Sequence, residues 1–302
     1  MDDLRKIAKA FGFGVVYCLR PEPFAYYRQR RKEEKLPFHP DLVDDPRALF
    51  PWANALLLLI MPYRPYPADS PIASNYPFNN ASYHASASMI RYLNACGIRA
   101  ERAYVPFREL AMRNGIGIAL QNGMMALPPY GTRFVTQVIA IHMEDPVYHE
   151  ADGASPACAA CGACRAACPA GAIDETGLHV EKCIRAYMQP GLLPDHVMRA
   201  MTKTVGCDRC QEACPYNSGL GSDNAVPDAF SLDRLVRDDC ADALRLIGSN
   251  MRSGDRLCQH ALIVAANRGS SDLLPAIEKM ADDPRPQIRQ AAAYAISLLR
   301  KS

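Results

Sequence analysis

Three short apolar runs, each bounded by turn residues, punctuate the first half of the chain: "GFGVVYCL" (Gly12–Leu19), "ALLLLIMPY" (Ala55–Tyr63) and "FVTQVIAIHM" (Phe134–Met143). Their length and β-branched content predict buried strands. Between them the apolar spacing lengthens. "ASYHASASMIRYLNACG" places Tyr83, Met89 or Ile90, Leu93 and Cys96 near helical spacing, with Gly97 as the stop. "PFRELAMRNG" predicts a shorter helix that opens at Pro106 and closes at Gly115. Strands alternating with helices over 1–150 predict an α/β domain, an open mixed sheet with helices. From Ser231 to Ser302 the pattern is all-helical: "CQHALIVAANRG" is one apolar helix, and "SSDLLPAIEKMADDPRPQIRQAAAYAISLLR" holds two more, broken at "DDPRP". That is the grammar of a HEAT-type repeat. So short a fragment must lean on the rest of the protein to bury its face. Three domains are expected: 1–150, a small insert over 151–222, and a helical tail over 223–302.

Composition adds bounds. The chain has 302 residues, 49% hydrophobic and 22% charged, enough for a sizeable core. A net charge of +2 gives no general attraction to nucleic acid or anionic membrane. "MDDLRKIAKAFGFGVV" lacks a secretory pattern, and Ala55–Met61 is too short to span a bilayer. A cytoplasmic, monomeric protein with no membrane partner is expected. The charge run Arg28–Lys35 reads as a solvated helix face, with a basic docking patch as the alternative. "NGIGIALQNGMMALPPYG" (Asn114–Gly131) carries Gly115, Gly117, Gly123 and Gly131. Such glycines let the backbone approach a flat ligand, or simply close a tight buried loop.

The cysteines change the picture. Of twelve, eight fall between Cys158 and Cys214, in a chain too long and too well supplied with core residues to be a secreted disulfide scaffold. Cys158, Cys161, Cys164, Cys168 and Pro169 spell C-x2-C-x2-C-x3-C-P, the bacterial two-cluster ferredoxin run. "CDRCQEACP" supplies Cys207, Cys210, Cys214 and Pro215, one short of a second run, and Cys183 completes the count. Eight thiolates then serve two [4Fe–4S] clusters. By the crossover rule one takes Cys158, Cys161, Cys164 and Cys214, and the other Cys168, Cys183, Cys207 and Cys210. A single C-x2-C pair suits zinc; two C-P-terminated runs with complementary counts favour iron–sulfur. The amides of Gly162, Ala163 and Ala213 are natural donors to the sulfides. Cys18, Cys96, Cys240 and Cys258 read as inert core thiols. Because clusters move single electrons only, the first domain must hold a redox centre or a docking surface for one.

An α/β half with "SYH" on a helix and a "GIG…QNG…YG" loop, then this cysteine block, then "GCDRCQEACPYN" and a HEAT-like tail, resembles the epoxyqueuosine reductases. These are iron–sulfur and cobalamin enzymes of tRNA modification. The resemblance runs from about Ala55 to the end and is strongest in Cys158–Asn217 and "LCQHALIVAANRG". It implies a first domain that binds cobalamin and a ferredoxin-like insert that feeds it electrons. It implies a Co(I) nucleophile that removes the epoxide oxygen of epoxyqueuosine in a tRNA anticodon stem-loop. Ferredoxin-type clusters reach about −400 mV, as so low-valent a cobalt requires. The resemblance also implies that Tyr83 and His84 border the corrin, although His84 also reads as a helix-start histidine satisfied by backbone. Gly115, Gly117, Asn122, Gly123 and Gly131 correspond to the family's cofactor loop, and Glu101 to its proton donor, an Asp in a loop before the "PFREL"-like helix. Leu120 and Gln121 depart from that loop, standing where the family has glycine and lysine.

Residues 222–302 balance eleven Lys or Arg against eleven Asp or Glu, whereas a tRNA grip asks for a basic stripe. Arg252, Arg256, Arg268, Arg285 and Arg289 would supply one if they share a face; otherwise the tail is a cap on the cluster domain. Two alternatives therefore stand beside epoxyqueuosine reduction. One is a corrinoid-dependent reductase of another small molecule. The other is a two-cluster electron-transfer or activator protein. Each would draw electrons from a low-potential donor such as a flavodoxin or ferredoxin.

Overall fold

The computed structural model describes residues 2–34, 42–151, 153, 158–188, 191–251 and 253–301; of 30–34 the backbone alone is described. The chain forms two compact units. Unit 1 is Met1–Tyr63, Ala81–Leu120 and Met124–Ala159; unit 2 is Arg64–Asn80, Gln121–Gly123 and Ala160–Ser302. From Ala160 on, the stretches expected as cluster insert and helical tail fall in one unit, while 151–159 belongs to unit 1.

Unit 1 opens with α1 (Asp2–Ala10), which the apolar pattern did not predict. Asp2 and Asp3 in its first turn and Lys9 in its last complement the helix dipole, and Leu4 and Ala8 are buried one turn apart. After β1 (Val15–Leu19) come α2 (Ala25–Glu34), α3 (Pro46–Leu49) and β2 (Ala55–Pro62). The charge run falls mainly on α2, while Lys35 lies outside the described residues. Then follow α4 (Asn75–Ala95), β3 (Ala100–Arg102), α5 (Phe107–Arg113), β4 (Ile118–Ala119), β5 (Met125–Ala126) and β6 (Phe134–Ile141). α4 begins ahead of the predicted Ala81, with Pro77 in its first turn, where no N–H is needed.

The main sheet has the order β1-β2-β6-β3, and every neighbouring pair is antiparallel. This corrects the expected mixed sheet. β2 and β3 do run parallel, linked through α4, but β6 inserts between them. β2 is central and buried on both sides, which is why it reads as an unbroken apolar run. Leu56, Leu58 and Ile60 face one core with Leu110 and Ala111 of α5; Ala55, Leu57 and Leu59 face the other with Met89 and Leu93 of α4.

Unit 2 holds α6 (Ala163–Ala167), the hairpin β7 (Ile173–Asp174) and β8 (Gly177–Leu178), α7 (Asp195–Ala200) and α8 (Arg209–Glu212). The helical tail is α9 (Leu232–Val236), α10 (Ala241–Ile247), α11 (Gly254–Asn267), α12 (Leu274–Glu278) and α13 (Pro286–Leu299). α11 is buried from Arg256 to Ala266, with α9 and α13 packed on it. A helix wrapped on all sides loses its one-faced pattern. Arg64–Asn80 is tied to the tail-side chain by Ala73 N–H to Val205 O (3.1 Å) and Thr204 N–H to Pro71 O (2.6 Å). Among the described residues no helix is long and apolar enough to cross a membrane.

Within α11, His260 is fully enclosed, with Nδ1 2.8 Å from Thr204 O. Burial, then the Arg256 charge, hold its imidazole down at about 3. The unfolded chain takes up this proton near pH 6.5 while the folded chain refuses it until about 3, so stability falls as pH drops through that window. We expect His260→Gln to flatten that loss by up to ~1.4 kcal/mol per pH unit, read as thermal midpoints of both proteins between pH 7 and about pH 4.5.

Candidate metal centre

The two C-P runs leave their helices alike. Cys168 follows α6 at φ −75°, ψ 112°, and Cys214 precedes its proline turn at φ −75°, ψ 125°. Both are held extended because the next residue is proline, which disfavours helical backbone before it. Each run therefore swings its last sulfur out of the turn that carries its earlier ones, and α6 and α8 lie against each other.

Cys168, Cys183, Cys207 and Cys210 act on one another. Burial pushes the Cys207 thiol up to about 11 and Cys210 up to about 12, and Cys183 and Cys168 add to both. Thiols that act on one another in this way resist ionising together unless a cation balances them, as an iron cubane would; among the described residues no three Cys, His, Asp or Glu side chains form a site for a single metal ion. Two backbone amides already serve the sulfurs: Ala172 N–H donates to Cys168 Sγ at 3.3 Å, and Arg209 N–H bonds Cys207. The amide of Ala213, expected on a sulfide, instead closes α8 on Arg209 O at 3.1 Å. Of the other set, Cys214 is buried, Cys164 half-buried and Cys161 exposed. Cys158 is half-buried and belongs to the segment of unit 1.

Residues outside the cysteine pattern shape this centre. Gly206, at φ +70°, precedes Cys207, and a Cβ there would stand 2.2 Å from Tyr76 Cε2, in steric conflict with the ring. Tyr76 is buried; its hydroxyl donates to Met188 Sδ at 3.3 Å and accepts from Arg185 Nε at 3.1 Å. Asp208, also buried, accepts from Ser74 N–H at 3.2 Å. Tyr76 lies over a hundred residues from its partners, so spacing carries no signal for it. "GC" before the second run was the one available hint.

The predicted cofactor residues divide. Tyr83 and His84 are neighbours on α4, both exposed, their rings edge to face at 5.5 Å. Arg102 joins them: its guanidinium lies 3.9 Å over the Tyr83 ring, and Nη2 donates to Tyr83 O at 2.8 Å. Gln137 accepts from Arg102 and donates to Ser82 Oγ at 3.0 Å, fixing the group. Glu101 is not brought to this pair. It sits in β3 rather than a loop, opposite Ala140, on the sheet face that carries α5; strand alternation puts Tyr83 and His84 on the other side. Its exposed carboxylate meets Arg99 at 3.5 Å.

The glycine loop is a hairpin closed on its own protein. A Cβ on Gly117 would stand 2.7 Å from Ala126 O, and one on Gly115 2.8 Å from Gly153 O, so chain, not ligand, occupies the space those glycines free. Gly123 has the Leu178 side chain in the same position at 2.8 Å. Asn122 is buried, its Nδ2 donating to Cys210 O at 3.3 Å, and Gly131 turns the chain back with its carbonyl on Leu127 N–H at 2.7 Å. A cavity of about 700 Å³ in unit 1, between α1, β1 and Val147–Glu150, is lined by none of the predicted site residues.

The tail arginines are committed internally. Arg285 pairs with Asp238 (2.9 Å), Asp255 (2.7 Å) and Asp283 (2.8 Å). Arg289 donates to the carbonyls of Asp283 and Pro284 (2.7 and 2.8 Å), and Arg268 to those of Ser70 and Thr202 (both 2.9 Å). Arg256 is buried, and Arg252 lies outside the described residues. Cys18, Cys240 and Cys258 are buried as expected, whereas Cys96 is exposed just past α4.

Residues 157–217 match the family model of the 4Fe-4S double cluster binding domain, a span that holds all eight cysteines. An epoxyqueuosine reductase of Bacillus subtilis is 30% identical over 205 residues, 63% of this chain and 52% of that protein. In that alignment the chain spans about half the length of its curated relative. An epoxyqueuosine reductase of Bacillus cereus is 24% identical over 97% of this chain and 87% of its own. A solved epoxyqueuosine reductase with an epoxyqueuosine-modified tRNA-Tyr stem loop superposes with a TM-score of 0.81 at 21% identity, covering 99% of this chain and 89% of that one. At that identity the superposition establishes the fold.

Gly206→Ala tests the site. Positive φ costs an alanine ~1–2 kcal/mol, and displacing Tyr76 adds to it. The variant is expected to bind about half the iron of the parent after reconstitution, measured by iron analysis on the folded fraction.

Proposed function

We propose, for a chain that belongs to the epoxyqueuosine reductase family, that it is an iron–sulfur and cobalamin-dependent reductase acting on epoxyqueuosine in tRNA. The observation that carries the reading is the match of residues 157–217 to a double-cluster domain, within which Cys168, Cys183, Cys207 and Cys210 influence one another electrostatically. We assign these four to one [4Fe–4S] cluster and Cys158, Cys161, Cys164 and Cys214 to the other. Electrons would enter from a low-potential protein donor, a flavodoxin or ferredoxin. The paired helices of the tail are read as a HEAT-like cap on unit 2.

Cobalamin, when bound, supplies a strongly nucleophilic low-valent cobalt. Tyr83 and His84 suit its amide-fringed ring, since they offer an exposed phenol and imidazole fixed from behind by Arg102. The hairpin glycines do not form a cradle for it, because protein atoms already meet them. The chain's own residues must also deliver a proton to the departing oxygen. If Glu101 is that acid, Glu101→Gln keeps both metals and turnover drops roughly 10²–10⁴-fold; unchanged turnover gives the proton to another group.

One observation favours a second reading, a corrinoid-dependent reductase of a small molecule. Arg268, Arg285 and Arg289 are satisfied by protein oxygens, so among the described residues these tail arginines offer phosphate no ready stripe. Expression in a queuosine-deficient strain separates the readings. Queuosine in its tRNA supports the first; tRNA held at the epoxide, with soluble protein carrying iron and about one cobalt, supports the second. Protein that takes up iron but no corrinoid would leave only an electron-transfer role.

A further inference from the structure

Arg256 differs from the other arginines of the tail. It is 2% exposed, its Nη1 donates to Gln259 Oε1 at 2.6 Å, and its Nε has no hydrogen-bond partner among the described residues. Burial alone lowers its pKa, to about 10, which leaves it charged at neutral pH, and among the described residues no carboxylate acts on it. Arg285, by contrast, is answered by three carboxylates. A buried guanidinium without a counter-ion is costly, and natural proteins pair such charges.

The turn of α11 that carries Arg256 packs on the stretches that deliver the cysteines. His260, one turn on, has Nδ1 2.8 Å from Thr204 O, three residues before Cys207. Gln259 Nε2 donates to Gly191 O at 3.3 Å. Leu257 shares a core with Ile184, which follows Cys183, and with Val205. A cubane held by four thiolates is a net anion and gains one negative charge when reduced. In a buried, weakly screened setting, a fixed cation near it favours the reduced form.

We propose that Arg256 is the counter-charge of the cluster on Cys168, Cys183, Cys207 and Cys210, and that it raises the potential at which this cluster accepts an electron. The inference rests on the two-cluster reading above and on nothing about the substrate.

The test is a redox titration of the anaerobically reconstituted full chain, followed by electron paramagnetic resonance without corrinoid or substrate. Arg256→Met lowers the midpoint of one cluster more than the other at unchanged iron content, and Arg256→Lys restores it. Gln259→Glu sets a carboxylate against the guanidinium without changing size and shifts the same midpoint downward; it decides alone if the Met variant loses iron. Unchanged midpoints in these variants, or a shift that Lys fails to restore, overturn the role. Absence of any cluster signal in the parent protein is a different result, and removes the two-cluster reading itself.

Discussion

Cys207 and Cys210 act electrostatically on each other and feel Cys168 and Cys183, so three separate stretches of chain bring half-buried sulfurs into mutual influence. Thiols so placed do not readily ionise together without a cation among them. Much of unit 2 follows from that requirement. Proline after Cys168 and after Cys214 straightens each run and ends the helical turn at its last cysteine. Gly206 admits the Tyr76 ring beside Cys207, and Asn122 holds the carbonyl of Cys210. Amides of Ala172 and Arg209 already face sulfur, the hydrogen bonds that tune such centres.

The helical tail takes its meaning from the same centre. Several of its charges are closed into ion-pair networks, around Arg285 and around Arg234, which binds Asp228, Asp239 and Asp242. Such networks hold short helices in register. Arg256 stands apart as a cation with no carboxylate among the described residues, on the helix hydrogen-bonded to the chain just before the second cysteine run. Stabilising the reduced state of a cluster from behind gives that helix a role in electron flow as well as in burial.

Local pattern was enough for β1, β2, β6, α5 and α11, because apolar period and end signals are carried by adjacent residues. The cysteine spacing was legible for the same reason. What stayed hidden depends on distant chain. The sheet became antiparallel because β6 inserts between β2 and β3, which no local window reports. Glu101 falls in a three-residue strand too short to show alternation, so its face was unreadable. Glycine in 115–123 announces a close approach but not what approaches; here it is mostly the protein's own backbone. Arg102 on Tyr83 and Tyr76 beside Gly206 join residues far apart in sequence, and Arg256 is indistinguishable in sequence from the other tail arginines of a possible basic stripe.

The central claim is that eight cysteines hold two iron–sulfur clusters. Iron and acid-labile sulfide determined on anaerobically prepared, folded protein test it most directly. The account predicts about eight of each per chain, carried by brown protein. Colourless protein, or protein holding zinc without sulfide, would contradict it.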